Sequence, residues 1–184
     1  MFDYTIETAF CQDYCALWRN IFNQPKKTQP HLKNFFQKIY GVYLTSTPAA
    51  ADTLSHYFED TATSPDDYDL ILTGDLALCG TAMLKELLER KGITLGANYN
   101  DCGMMIYDRK RQDMHAGGSG CGCSAVVLAS YLYPRLLRGD LRRILFIGTG
   151  AMMSPASIQQ GESIPAVAHL VAICHEKYAL GGKA

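Results

Sequence analysis

Tryptophan is nearly absent, with Trp18 the single example, and so is any excess of charge, since 17 lysines and arginines face 18 aspartates and glutamates. A net charge of −1 lacks the electrostatic footprint of a nucleic-acid binder. The basic cluster Arg135, Arg138, Arg142 and Arg143 straddles a helix end, where cations complement the dipole. No nucleic-acid partner is expected. Apolar runs stop well short of the ~18 residues that a membrane-spanning helix needs. The opening MFDYTIETAF carries acidic residues and none of the apolar core of a secretory leader. These absences predict a soluble chain that is not secreted and has no transmembrane helix. No internal repeat and no low-complexity segment appears, which argues against a solenoid.

Cysteine, by contrast, is plentiful. The seven cysteines (11, 15, 79, 102, 121, 123 and 174) form an odd count at irregular spacing, the pattern of free thiols in a reducing compartment. At 184 residues the chain suits one domain, and a domain near that size buries roughly 70% of its unfolded surface.

Three segments are expected. Residues 1–37 carry Trp18, Pro25, Pro30 and the polar run Gln24–His31, with a short amphipathic helix over Tyr14–Phe22. Residues 38–175 alternate strand and helix signals, and residues 176–184 form a polar tail. Strands are predicted at Ile39–Leu44, Tyr68–Thr73, Gly103–Tyr107, Ile144–Ile147 and Ile164–Cys174. Helices are predicted at Ala49–Phe58, with Thr47 as N-cap and Pro48 as its first residue, and at Leu76–Lys91, closed by Gly92. A further helix runs from near Ser124 to Gly139, with Val127, Leu128, Leu132 and Leu136 at helical spacing. Crossovers of this length imply an α/β sandwich with a mixed, largely parallel five-stranded sheet.

The chemistry concentrates in Met114–Val127, MHAGGSGCGCSAVV. Glycine permits positive φ and close backbone approach, and the free N–H groups of a following helix favour an anion. The stretch therefore reads as a pocket for a small anion or an acyl group, with His115, Cys121 and Cys123 in reach. The plainer reading is a tight loop beneath a well-packed helix. Two decoys sit in the same stretch. Gly120-Cys-Gly122-Cys-Ser-Ala125 fits a dinucleotide fingerprint, with Asp140 downstream, but it does not follow its strand directly. Cys102, Cys121, Cys123 and His115 have the residue types of a zinc site, yet cysteines buried as small hydrophobes explain them as well. No metal and no cofactor is expected.

Five stretches carry a resemblance. DYDLILTGDL (67–76), NYNDCGMMIYD (98–108), HAGGSGCGCSAVV (115–127), LRRILFIGTGAMMSP (141–155) and IQQGESIPAVAHLVAI (158–173) together resemble the stage V sporulation protein AD family. That resemblance implies a thiolase-like layered sandwich, of which this chain supplies one C-terminal half, so a truncated member is expected. It implies a non-catalytic protein that binds dipicolinic acid, with or without calcium, and contributes to its uptake into the developing spore. It places the protein in the cytoplasm or peripherally at the forespore or spore inner membrane, beside membrane-channel proteins of the same operon type. Half of a two-half architecture exposes apolar surface, so a homodimer or an added N-terminal half is expected to cover it.

A condensing enzyme of this superfamily needs a thiolate, a base and oxyanion donors. By analogy a histidine follows the YDLILT strand, where this chain has Thr73-Gly74-Asp75. No catalytic residue is therefore assigned, although Cys121 at a helix start has the setting of a lowered thiol pKa. The expected ligand site is His115, Gly117, Gly118, Ser119, Gly120 and Cys121, with Met152 and Met153 as an apolar wall. Its rivals are an acyl-transferring enzyme and a structural partner of a spore membrane channel.

Overall fold

The computed structural model describes residues 30–108, 110–151, 156, 159–160 and 166–175; of residues 30–45 and 121 it describes the backbone alone. The chain divides into two units, residues 1–41 and 42–184. The expected helix at 14–22, the cysteine pair 11 and 15, Met152 and Met153, and the tail from 176 lie outside the described residues.

The first described element is a helix, α1 (Pro30–Thr61), which replaces both the expected strand at Ile39–Leu44 and the expected helix start at Pro48. A short apolar run such as IYGVYL has no alternation to separate strand from helix, and here the helical form prevails. Pro48 sits inside α1, which removes one backbone donor from the ladder. Thr47 is no N-cap. Among the described residues its hydroxyl and that of Ser46, both buried, have no hydrogen-bond partner, which is a local weakness.

Among the described residues four strands follow where five were expected: β1 (Leu70–Thr73), β2 (Tyr99–Asp101), β3 (Arg143–Ala151) and β4 (Ala166–Cys174). They lie in the order β2-β1-β3-β4. β1 is parallel to both β2 and β3, and β4 runs antiparallel to β3. Two expected strands are replaced by helix, Ile39–Leu44 within α1 and Gly103–Tyr107, which begins inside a single helical turn, α3 (Cys102–Met105), while β2 was not expected. Asp101 causes the second replacement: its side chain accepts the Met104 amide and caps that turn, so the strand ends there.

Between β1 and β2 runs α2 (Ala77–Glu89), closed by Gly92 at a φ of +78°. Before β3 comes a longer helical stretch: α4 (Cys121–Val127), a π turn (Leu128–Leu132) and α5 (Tyr133–Arg138), ending at Gly139 in the left-handed region. Pro134 has no N–H to give the Ser130 carbonyl, and the wider turn just before it accommodates that gap. The turn also re-phases the helix, so that Val127, Leu132 and Leu136 are all buried.

Side-chain alternation along the central strands feeds two cores. Ile71, Leu145 and Ile147 pack with Ala50, Leu54 and Phe58 of α1 and with Leu84 and Leu88 of α2. Leu72 and Ile144 pack on the other face with Cys102, Val127, Leu132 and Leu136. Burial on both faces suits the middle of a parallel sheet. No helix among the described residues is long and apolar enough to cross a membrane.

Candidate functional site

Because β1, β2 and β3 are parallel, their carboxyl ends point the same way, and the loops that follow them meet. That end of an open α/β sheet is where such folds bind ligands. Thr73 and Asp101 are register partners at the last positions of β1 and β2. The Thr73 hydroxyl donates to Asp101 Oδ2 at 2.6 Å, and with its one proton so committed it accepts from the Tyr99 hydroxyl at 2.8 Å. Tyr99 also lies 3.3 Å from the Thr81 hydroxyl on α2.

Asp101 has no solvent exposure. Besides Thr73 it accepts the amides of Leu76 at 2.9 Å, Ala77 at 2.8 Å and Met104 at 3.3 Å. Leu76 is in the right-handed helical region and Ala77 has a φ of +53°. Two consecutive amides in that pair of conformations form a concavity for an anion, and here the protein's own carboxylate fills it. Burial pushes the Asp101 carboxyl above its usual range, against the pull of the four donors. Burial also raises the Tyr99 phenol.

Asp75, in the loop after β1, joins that loop to β3 and to the glycine-rich loop. Its Oδ1 accepts the Thr149 hydroxyl of β3 at 2.6 Å, while its own amide donates back to Thr149 Oγ1 at 3.0 Å. Its Oδ2 accepts the Gly120 amide at 2.9 Å and lies 3.5 Å from the Ser119 hydroxyl. The amide at the mouth of α4 therefore already has an anionic partner. Gly74 permits this closeness, because a Cβ there would stand 2.9 Å from Thr149 Oγ1.

The glycines of the central loop have a packing role as well. The Gly118 amide donates to the Gly103 carbonyl at 2.7 Å, and Leu78 donates to the Ala116 carbonyl at 2.9 Å. A Cβ on Gly103 would lie 2.1 Å from the Gly118 carbonyl oxygen, and one on Gly117 would lie 2.6 Å from the Gly103 oxygen. Gly117 and Gly120 both have φ of +120°. Gly118 does not need positive φ; its constraint is contact with Ile106, Tyr107 and Cys123.

The six expected ligand residues thus separate. Gly118 is buried and Gly117 half-buried in the loop's own packing, while Ser119 and Gly120 are exposed. His115 projects outward, its side chain 87% exposed and its Nδ1 3.6 Å from Asp113. Cys121 opens α4, and its side chain lies outside the described positions. Cys102 and Cys123 are buried. Burial beside Asp101 pushes the Cys102 thiol up to about 12, which leaves little thiolate at neutral pH. Among the described residues no group of three or more histidine, cysteine or acidic side chains is arranged to hold a metal ion.

Asp101, Thr149 and the Tyr99–Thr81 pair were not foreseen. Thr149 lies near the end of the apolar β3 and Thr81 on α2, whereas Tyr99 and Asp101 belong to the short polar strand Tyr-Asn-Asp, which carries no such signal.

Fold and site together define an α/β protein whose polar centre sits at the carboxyl ends of a mostly parallel sheet, roofed by a glycine-rich loop. The family model for stage V sporulation protein AD (SpoVAD) matches residues 41–174. The chain is 48% identical over 122 residues to the stage V sporulation protein AD of Bacillus subtilis (strain 168), covering 66% of this chain and 36% of that relative. The chain belongs to the SpoVAD family, a family of sporulation proteins. It spans little more than a third of the relative's length in the matched region.

Proposed function

We propose that the chain is a non-catalytic binder of dipicolinic acid, with or without calcium, acting in the movement of that dicarboxylate into the developing spore. The ligand meets the exposed rim of the loop, where His115, Ser119 and Gly120 lie, rather than the buried Gly117–Gly118 floor. The four-stranded unit is in this reading one half of a thiolase-like layered sandwich. A second half, or a second copy, supplies the opposite wall, and spore membrane-channel proteins are the partners.

The observation that carries the binder over the enzyme is the state of Asp75. It lies in Thr73-Gly74-Asp75, the loop after β1 from which, by the resemblance, a condensing enzyme would supply a histidine. Its two carboxylate oxygens are engaged by Thr149 and Gly120. A side chain held that way braces loops and is not free to take a proton from a thiol.

Calorimetric titration tests the reading. Pyridine-2,6-dicarboxylate should bind about tenfold or more tightly than pyridine-2-carboxylate, because a hydrogen bond to a charged group is worth about 1.5–3 kcal/mol. Acyl-CoA should release no thiol. Equal affinity for diacid and monoacid, no heat with either, or steady thiol release would overturn it.

A further inference from the structure

We infer that the outer edge of β4 is a docking site for an extended, basic segment of a partner protein, added to the sheet as a fifth strand. Among the described residues β4 pairs only with β3 and ends the sheet. The pairing runs without a bulge from Arg143 opposite Cys174 to Ala151 opposite Ala166. The strand, AVAHLVAIC, is nine residues long and contains no proline, glycine, lysine or acidic residue. Those are the devices by which proteins blunt an edge, and a long apolar edge without them is a template for another strand. Val167 and Val171 remain 53% and 51% exposed.

A groove of about 580 Å³ runs beside this edge. One wall is Ala166–Leu170, five consecutive residues. Side chains alternate between faces, so a wall made of consecutive residues offers its backbone. The other wall is α1, which contributes Asp52, His56 and Asp60 among others. Among the described residues no lysine or arginine lines the groove. Lys91 reaches Asp52 from outside at 3.5 Å, and Asp60 has no ion-pair partner among the described residues. A strand entering here gains main-chain hydrogen bonds from β4 and meets carboxylates on the helix side.

That charge selects the occupant. A second copy pairing edge to edge would bring two sets of Asp52 and Asp60 toward one another. A partner strand with lysine or arginine on alternate residues would neutralise them.

The test titrates the full chain with three synthetic nine-residue strands: alternating valine and lysine, alternating valine and glutamate, and the lysine strand N-methylated on alternate residues. Binding is read by fluorescence anisotropy and by amide exchange at Ala166–Leu170. The lysine strand should bind and slow exchange there. Its affinity should fall about tenfold as salt shortens the Debye length from ~10 Å to ~3 Å. The glutamate and N-methylated strands should not bind. Asp52→Lys combined with Asp60→Lys, both at exposed positions, should leave the fold intact and reverse the preference toward glutamate. Equal binding of both charges, no binding at all, or a concentration-dependent dimer that protects β4 unaided would overturn the inference.

Discussion

Asp101 accepts the amide of Ala77 at 2.8 Å, and Ala77 stands at a φ of +53°, where an alanine is strained. Strain of that kind costs about 1–3 kcal/mol and persists only when its surroundings enforce it. The carboxylate is the enforcing group, because it accepts Leu76 and Ala77 together and so fixes the turn from β1 into α2.

Asp101→Asn should therefore cost about 1–3 kcal/mol, since one acceptor oxygen becomes a donor facing donors. The pH dependence has a definite sign. Burial raises the folded-state pKa above the unfolded value. The carboxyl's contribution is then fully present below the ordinary carboxylate range and is lost as pH rises through the raised value. The stability gap between wild type and Asp101→Asn should narrow as pH rises from about 4, as read by thermal denaturation. A gap that widens would reverse the assignment.

Gly103→Ala should unseat the central loop. The new methyl would meet the Gly118 carbonyl at 2.1 Å, a clash with backbone on both sides. Overpacking of this kind costs about 1–3 kcal/mol. Exchange of the Gly118 amide, now bonded to the Gly103 carbonyl, should quicken with it. An unchanged melting temperature would show that the two segments can part freely.

Thiol labelling of the native protein should be sharply uneven. Cys102 is fully buried and its pKa is pushed up to about 12, so it should react last, with buried Cys123 close behind. Cys79 and Cys174 are half-buried and should react sooner. Mass spectrometry of timed alkylation gives the order, and early labelling of Cys102 would contradict the packing around α3.

On the rim of the loop, His115→Ala and Ser119→Ala should each weaken binding of pyridine-2,6-dicarboxylate by about ten- to a hundred-fold, the loss of one charge-assisted hydrogen bond. Neither should move the melting temperature by more than the scatter between surface variants, since both residues are exposed. Weaker binding accompanied by a large loss of stability would assign these residues to the scaffold instead.

Parts of the molecule could be read directly from local pattern. YDLILT is a compact apolar run ending in Gly74-Asp75, and it is a central strand. Leu84 and Leu88 recur at helical spacing ahead of Gly92, and they are fully buried on α2. IYGVYL looked equally strand-like and is helical, because nothing inside six residues distinguishes the two. GMMIY failed for a different reason. Its conformation is decided by Asp101, one residue before Cys102, acting as a cap. The central loop was recognisable from its glycines, but its meaning was not. Asp75 and Thr149 are 74 residues apart, and no local rule brings them together at Gly120. His115 stands out in the sequence as a reactive side chain, whereas the groups that organise the site are carboxylates and hydroxyls of ordinary appearance there.

The π turn at Leu128–Leu132 makes the length of its helix adjustable. Four of the helix's buried residues are Cys123, Val127, Leu132 and Leu136, spaced four, five and four apart. The helix holds one residue more than its apolar stripe needs, and the wide turn before Pro134 absorbs it. Deleting exposed Ala129 while changing Pro134 to alanine should close the ladder into ordinary α-helix and leave every buried side chain facing inward. The same deletion at exposed Ala82 in α2 would swing Leu84 and Leu88 by about 100° away from the sheet. Two changes that each look damaging should cancel in the first helix, where a melting curve would record little loss, and the single deletion in the second should unfold the domain.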